Sequence, residues 1–245
     1  MIVGRRILQL EEVTSTNDVA KRLGREGEEE GLVVLAERQT LGRGRMGRTW
    51  SSPLGGQYLS VLLRPKKRSQ EILKMTVHAC VPVAKAIEEV VDINVLLKWP
   101  NDLMVNGKKV GGILVEGVSK GTELDFLVVG IGLNVNSKIE SIGEEGATSL
   151  KHEAGKDIDS GRLLDSLLKN LDKFYYDLIK NGLDEDEYVS RSCTLGKQIE
   201  AKVGKETLRG KALYLGPDGA LVLRSDEGLV LRLSWVNETS IRTTN

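Results

Sequence analysis

Reactive side chains are scarce in this 245-residue chain. Cys80 and Cys193 are its only cysteines. Lying far apart, with no CxxC pair and no Cys/His cluster, they argue against a disulfide framework and a structural zinc site. His78 and His152 are the only histidines, and neither has a Ser or Cys beside it in a triad-like pattern. That leaves little material for Ser-His or Cys-His nucleophilic catalysis. Net charge is missing as well, because 35 Lys and Arg offset 35 Asp and Glu. A strongly basic chain that coats nucleic acid through its overall field is thereby excluded, although a local basic site is not. No apolar stretch approaches the ~20 residues of a membrane span, the longest being Phe126 to Val135. Met1 to Arg6 carries charge with no apolar segment after it, so no signal peptide is expected. The expectation is a cytoplasmic, reduced protein with no membrane attachment.

Glycine is in excess: 27 residues, twelve of them between Gly42 and Gly132. The hydrophobic fraction of 40% and charged fraction of 29% are those of an ordinary soluble protein with a sizeable core. Ile7 to Gln9 reads as a first strand. Ser15 and Asp18, spaced like a capping box, open a helix at Val19 to Leu23. Leu32 to Ala36 is apolar throughout, which predicts a strand buried on both faces. Tyr58 to Leu63 is a further strand. A helix from Ser69 carries Ile72, Leu73, Val77, Cys80, Ala84, Ile87, Val90 and Val91 on one face, with a kink or late start at Pro82.

Val95 to Trp99 is a strand stopped by Pro100, and Asn106-Gly107 predicts a type I′ hairpin between Leu103–Val105 and Lys109–Val115. With a strand at Asp125 to Val135, these pieces read as an antiparallel meander rather than a run of βαβ units. Arg162 to Lys180 is the clearest helix, with Ser160 as its cap and Gly182 as its stop. After the acidic stretch Asp184 to Glu187, residues 196–242 break into short strands around Gly216-Pro217-Asp218-Gly219 and Asp226-Glu227-Gly228, a small barrel-like β module.

Three clusters carry chemistry. Gly42-Arg43-Gly44-Arg45-Met46-Gly47-Arg48 contains a literal GxGxxG, but Thr49 to Pro53 and Gly55-Gly56 cannot begin the helix a dinucleotide site requires. Nor is there the Gly-Lys-Ser/Thr of a phosphate-binding P-loop. Arg38 to Arg48 holds four arginines and no acid. Such a loop suits phosphates and carboxylates, which arginine binds through charge-assisted pairs; taken alone, it equally suits a solvated basic loop. Lys98-Trp99-Pro100-Asn101-Asp102 sets Lys, Asn and Asp side by side at a strand end, or is simply a turn. Gly130-Ile131-Gly132-Leu133-Asn134 places two glycines inside a strand, which weakens it unless something approaches the backbone closely.

Taken in order, Ser15-Thr16-Asn17, Gln39, the Gly42–Arg48 loop, Lys98–Asp102, Lys109 to Glu116 and Gly130–Asn134 resemble the biotin protein ligases over roughly residues 7–242. The resemblance implies an α+β fold: a mixed, largely antiparallel central sheet with helices, like the class II synthetases and biotin–lipoate ligases, in residues 1–190. A small C-terminal SH3-like β domain would occupy 191–245. Because the chain begins directly at the catalytic part, it resembles the short, monofunctional class, for which no DNA binding is expected.

The implied reaction joins biotin to ATP as biotinyl-5′-AMP, releasing pyrophosphate. It then passes the biotinyl group to a lysine of a biotin carboxyl carrier protein, as found in acetyl-CoA carboxylase, releasing AMP. No protein nucleophile is required, in keeping with the scarcity of His and Cys. By resemblance Arg45, Arg48 and Lys109 are catalytic. Biotin would be held by Ser15, Thr16, Asn17, Gln39, Gly42, Arg43, Lys109, Gly112, Gly130 and Gly132. ATP would meet Arg45, Arg48, Trp50, Lys98, Asn101 and Asn134, with Asp102 for Mg2+.

On the residues alone, Lys109 is an exposed hairpin lysine, Ser15 and Thr16 are helix caps, and Trp50 and Trp99 pack on ligand or on core. Met46 stands where a polar or basic residue is common in the family, and Ser234 to Glu238 departs from its usual C-terminal pattern. Family members are often dimers, and the strands of Leu103 to Val135 leave a homodimer open. Two rivals stand beside this reading: a lipoate–protein ligase of related fold, and a nucleic-acid-binding regulator that uses the arginine loop.

Overall fold

A strand–helix–strand unit starts the chain. In the computed structural model, which describes residues 1–65, 69–121, 123–180, 184–234 and 239–243, β1 (Arg6–Val13) lies parallel to β2 (Leu32–Gln39), and α1 (Thr16–Arg25) makes the crossover. This is the parallel pair of the expected mixed sheet, since the intervening helix supplies the length a parallel connection needs. Ser15 is the N-cap of α1 but its hydroxyl makes no cap bond, so the Ser15–Asp18 capping box does not form. The Thr16 amide instead donates to Gln39 Oε1 at 2.8 Å, an acceptor brought by β2.

β2 has the continuous apolar character of a doubly covered strand, and Leu32, Val33, Val34 and Ala36 are all buried. β3 (Gln57–Leu63) is buried along its whole length. The helix expected from Ser69 divides into α2 (Ser69–His78) and α3 (Cys80–Val90). Pro82 falls in the first turn of α3, where a missing N–H costs nothing. Ile72 and Leu73 of the expected apolar stripe have side chains outside the described residues.

β4 (Leu96–Lys98), β5 (Asp102–Val105), β6 (Lys108–Lys120) and β7 (Glu123–Leu133) follow as an antiparallel meander. Asn106 (φ 50°) and Gly107 (φ 75°) take the left-handed conformations of the type I′ turn, as the dipeptide predicts. Among the described residues the strands order as β1-β2-β3-β7-β6-β5-β4, a mixed sheet in which β1 and β2 pair parallel and the other neighbours antiparallel.

Two short helices, α4 (Ile139–Ile142) and α5 (Leu150–Ala154), precede the long α6 (Ser160–Lys180). α6 buries Leu163, Leu167, Leu168, Leu171, Tyr175 and Leu178, the stripe its spacing predicts. Its cap is Asp159 rather than Ser160: Asp159 Oδ1 accepts from the Arg162 amide at 3.0 Å. The expected stop, Gly182, lies outside the described residues. The acidic stretch forms α7 (Glu185–Arg191), with Asp184 accepting from the Asp186 amide at 3.0 Å. Carboxylates in a first turn meet the positive end of the helix dipole, so this sequence starts a helix rather than a solvated loop.

β8 (Gln198–Val203), β9 (Glu206–Leu215), β10 (Leu221–Ser225), β11 (Val230–Leu233) and β12 (Thr239–Thr243) form a separate antiparallel sheet ordered β11-β10-β9-β8-β12. The departure expected at 234–238 lies, apart from Ser234, outside the described residues. Trp99 joins the two sheets: it is buried, its amide donates to Thr194 Oγ1 at 3.0 Å and its indole N–H to the Gly219 carbonyl at 2.9 Å. Trp99 therefore packs in the core, and it also lines the cavity described below. Both cysteines are free thiols. Among the described residues, no helix is long and apolar enough to cross a membrane.

Candidate active site

One cavity of about 460 Å3 lies where the α1 N-terminus, the Gly42–Arg48 loop and the β5–β6 hairpin meet the surface of β6 and β7. All the expected site residues line it except Gly42 and Asn134. Its two ends differ in chemistry.

The first end is neutral and closed. Ser15, Thr16 and Asn17 are 3–4% exposed, held there because α1 packs against β2 and β3. Thr16 donates its amide and, at 3.1 Å, its hydroxyl to Gln39 Oε1, while Gln39 Nε2 donates to Ser52 Oγ at 2.9 Å. Asn17 Nδ2 donates to Glu116 Oε2 at 2.7 Å, and Asn17 Oδ1 accepts from Ser60 Oγ at 2.6 Å. Across this network stands Gly130, where a Cβ would fall 2.1 Å from Asn17 Oδ1. The expectation that Gly130 admits a ligand thus meets a second reason for glycine: the Asn17 amide already fills that space.

The second end is charged. Lys109 Nζ lies 3.1 Å from Asp102 Oδ1, 3.6 Å from Glu144 Oε1 and 5.0 Å from the centre of the Trp50 ring. Trp50 rests on glycines: a Cβ at Gly132 would fall 2.6 Å from its Nε1, closer than any Cβ can come, and one at Gly112 would sit a tight 3.3 Å from its ring. The Trp50 indole N–H is buried with no hydrogen-bond partner. Such a donor at a cavity wall suits an incoming acceptor.

The arginine loop is a closed turn rather than a loose strap. Arg43 bridges Thr49, the Gly44 amide donates to the Arg48 carbonyl at 2.7 Å, and Arg45–Gly47 make a single 3-10 turn with Met46 at φ 61°. Gly42 belongs to that closure: the Trp50 amide donates to its carbonyl at 2.8 Å, and a Cβ there would fall 2.4 Å from the Trp50 carbonyl oxygen. Gly42 is therefore a backbone position, outside the cavity lining. Arg43 pairs with Asp18 at 2.6 Å and Glu116 at 3.3 Å. Burial pushes the Arg45 guanidinium below its ordinary range, Asp102 works against that shift, and neighbouring Arg48 adds to it. An arginine starts so high that it stays charged regardless.

Asn101 donates its side-chain amide to the Ile113 carbonyl, which pins the β4–β5 turn to β6 while leaving the residue in the lining. Lys98 lines the same wall. Asn134 does not: it is buried, donates to the Thr148 carbonyl at 3.0 Å and holds the 147–150 segment in place. It directly follows the end of β7 at Leu133.

Sequence reasoning missed Glu144, Glu145 and Gly146, and also Ile241 and Arg242 from β12, all of which line the cavity. No local pattern marks them; only long-range packing brings them there. Glu116 was visible within the Lys109–Glu116 motif, but its pairing with Arg43 and Asn17 was not.

The match to known proteins agrees with this geometry. Residues 10–134 fit the model of the biotin/lipoate A/B protein ligase family. The bifunctional ligase/repressor BirA of Bacillus subtilis is 35% identical over 93% of this chain and 72% of its own length. The biotin–[acetyl-CoA-carboxylase] ligase of Paracoccus denitrificans is 31% identical over 80% of this chain and 85% of its own. Among solved structures, the biotin protein ligase of Aquifex aeolicus in complex with biotin and ATP superimposes with a TM-score of 0.81 at 34% identity, covering 98% of this chain and all of that one.

Proposed function

This chain belongs to the biotin/lipoate A/B protein ligase family and is a ligase, and we propose that it biotinylates a lysine of a biotin carboxyl carrier protein through biotinyl-5′-AMP. The observation that carries the reading is a single cavity with a neutral, hydrogen-bonded end and a cationic end. Biotin has the matching ends, a cyclic urea and a carboxylate. The urea needs acceptors for two N–H groups and donors for one carbonyl, which hydroxyls and amides provide. Ser15, Thr16, Asn17 and Gln39 fill that role.

At the other end the carboxylate oxygen attacks the α-phosphorus of ATP and pyrophosphate leaves. An anion approaches an anion, so the demand on the protein is charge stabilisation and alignment. Lys109 takes the carboxylate and the α-phosphate, exchanging its contacts with Asp102 and Glu144 for the incoming oxygens. Arg45 and Arg48 hold the phosphates, and the 3-10 turn that carries Arg45 keeps it at the cavity. ATP enters as its Mg2+ complex. Asp102 would hold that ion, an oxygen donor suited to a hard cation. The acceptor lysine then attacks the acyl carbon, loses a proton and expels AMP.

The carrier of the modified lysine is a carboxylase domain, as the name of the Paracoccus relative suggests. Residues 1–190 form the catalytic part and 191–245 a C-terminal module that reaches back into the cavity through Ile241 and Arg242. The two free thiols suit work in the reducing cytoplasm.

The test is transfer. Incubated with biotin, Mg2+, ATP and a biotin carboxyl carrier domain, the protein should add one biotinyl group to the carrier, dependent on ATP and on the carrier lysine. Transfer of lipoate with none of biotin would overturn the proposal. So would salt-sensitive DNA binding with no ligand-dependent formation of AMP.

A further inference from the structure

Glu116 lies on β6, outside the cavity lining, yet three groups from two other segments converge on its carboxylate. Asn17 Nδ2 meets Oε2 at 2.7 Å, Lys21 Nζ meets Oε1 at 2.9 Å, and Arg43 Nη2 meets Oε2 at 3.3 Å. Asn17 lines the neutral end of the cavity, and Arg43 opens the arginine loop.

We infer that Glu116 is a positioning residue that fixes the donor–acceptor polarity of the neutral end and ties the arginine loop to it. The chemistry leaves one arrangement. A carboxylate only accepts, so Asn17 must turn its amide nitrogen toward Glu116. The second hydrogen of Nδ2 points to the Leu114 carbonyl at 3.4 Å, which uses up the donors. Asn17 Oδ1 is then the inward atom, beside Gly130. Ser60 must give its single proton to Oδ1, because a carbonyl oxygen cannot donate. With the Ser60 proton committed, the Thr16 hydroxyl donates to Ser60 or to Gln39. Asn17 therefore offers a bound ligand a lone pair and nothing else, and it selects a ligand N–H.

A neutral acceptor in place of the carboxylate would lose this control. A glutamine side chain on this part of β6 can present either its oxygen or its nitrogen, which leaves only the long 3.4 Å contact to the Leu114 carbonyl to orient the Asn17 amide and allows it to reverse and show its N–H to the ligand. The same change removes the charge that holds Arg43 beside Asp18. Head-group polarity and loop position thus share one acceptor, although the two lie on different segments of the chain.

The inference rests on the biotin reading, and the experiment separates the two. Wild type and Glu116→Gln are compared in pyrophosphate exchange with biotin, and with the two cyclic carbamate analogues in which one ring N–H is replaced by oxygen. Wild type should disfavour one analogue by about tenfold or more, the worth of one lost hydrogen bond. Glu116→Gln should raise the KM for biotin by about tenfold, leave kcat and the KM for ATP within about threefold, and cut the selectivity to under about threefold. Adding Asn17→Asp to Glu116→Gln restores an acceptor-only residue facing the ligand, with the newly introduced amide on β6 as its donor, and should recover the selectivity.

Unchanged selectivity and KM in Glu116→Gln would overturn the inference. So would a joint loss of biotin use, ATP use and thermal stability that Asn17→Asp does not repair, since that is the signature of a purely structural residue. A wild type that exchanges pyrophosphate with no response to biotin would overturn the underlying reading instead.

Discussion

The two ends of the cavity are held in place by different physics. At the neutral end, Thr16, Asn17 and Gln39 are tied to other parts of the protein through hydrogen bonds of 2.6–3.1 Å, and the Ser15–Asn17 segment is almost fully buried. At the charged end, Lys109 shares Asp102 and Glu144 with N–O distances of 3.1 and 3.6 Å, and Arg48 is exposed. Buried hydrogen-bonded networks are rigid because each lost partner leaves an unsatisfied group in a poorly solvated place. Charges near solvent exchange partners at little cost. The neutral end is thus a fixed template that selects, while the charged end is a set of exchangeable contacts that an anion can take over. Selectivity and rate are separable in such a site.

Substitutions at the two ends should break along that line. The largest effect is expected from Lys109→Ala: a loss of about 10²–10³ in biotin-dependent pyrophosphate exchange, the scale of one electrostatic stabiliser. Its melting temperature should stay within about 2 °C of wild type. A protein that mainly unfolds would show that Lys109 is part of the template instead.

Gly130→Ala should do the reverse. A Cβ 2.1 Å from Asn17 Oδ1 forces the template apart, with an expected cost of about 1–3 kcal/mol in urea unfolding and a raised KM for biotin at nearly unchanged kcat.

A control comes from outside the cavity. His78, buried against the Tyr188 ring, has its pKa lowered to about 4, chiefly by burial, with Glu185 opposing the shift. A folded value below the ordinary ~6.5 means the fold resists protonation, so the stability is in place above that value and drains as pH falls toward about 4. Between pH 7.5 and 5 the loss should be about 2 kcal/mol, and His78→Gln should remove that dependence while leaving biotin selectivity as it was.

The smallest effect concerns Arg45→Ala. Because Arg48 lies in the same loop and shares the phosphates, retention of biotinyl-AMP should fall by about tenfold rather than vanish. Release of the adenylate, followed by filter binding, measures this. Unchanged retention would remove Arg45 from the phosphate role.

Local signals were legible in the sequence, and long-range ones were not. Asn106-Gly107 specified its hairpin because two left-handed residues in a row admit few alternatives. The α6 stripe specified its buried face for the same local reason. The parallel pairing of β1 with β2 and the arrival of Glu144 and Arg242 at the cavity depend on contacts between distant segments.

The glycines are the instructive case. Their place inside a strand marks Gly130 and Gly132 as points of close approach, but the groups that approach are the Asn17 amide and the Trp50 indole. Gly42 and Asn134 neighbour lining residues in sequence but lie outside the lining, where Gly42 closes the turn against Trp50 and Asn134 holds the 147–150 segment. Proximity along the chain marked the region of the site, while long-range packing decided which residues line the cavity.

Pyrophosphate exchange into ATP tests the central claim most directly, because it needs only the cavity, ATP, Mg2+ and the acid that occupies the neutral end. With biotin the account predicts exchange that saturates with biotin, is absent without it, and is nearly abolished in Lys109→Ala. Exchange driven by lipoate and indifferent to biotin would contradict it.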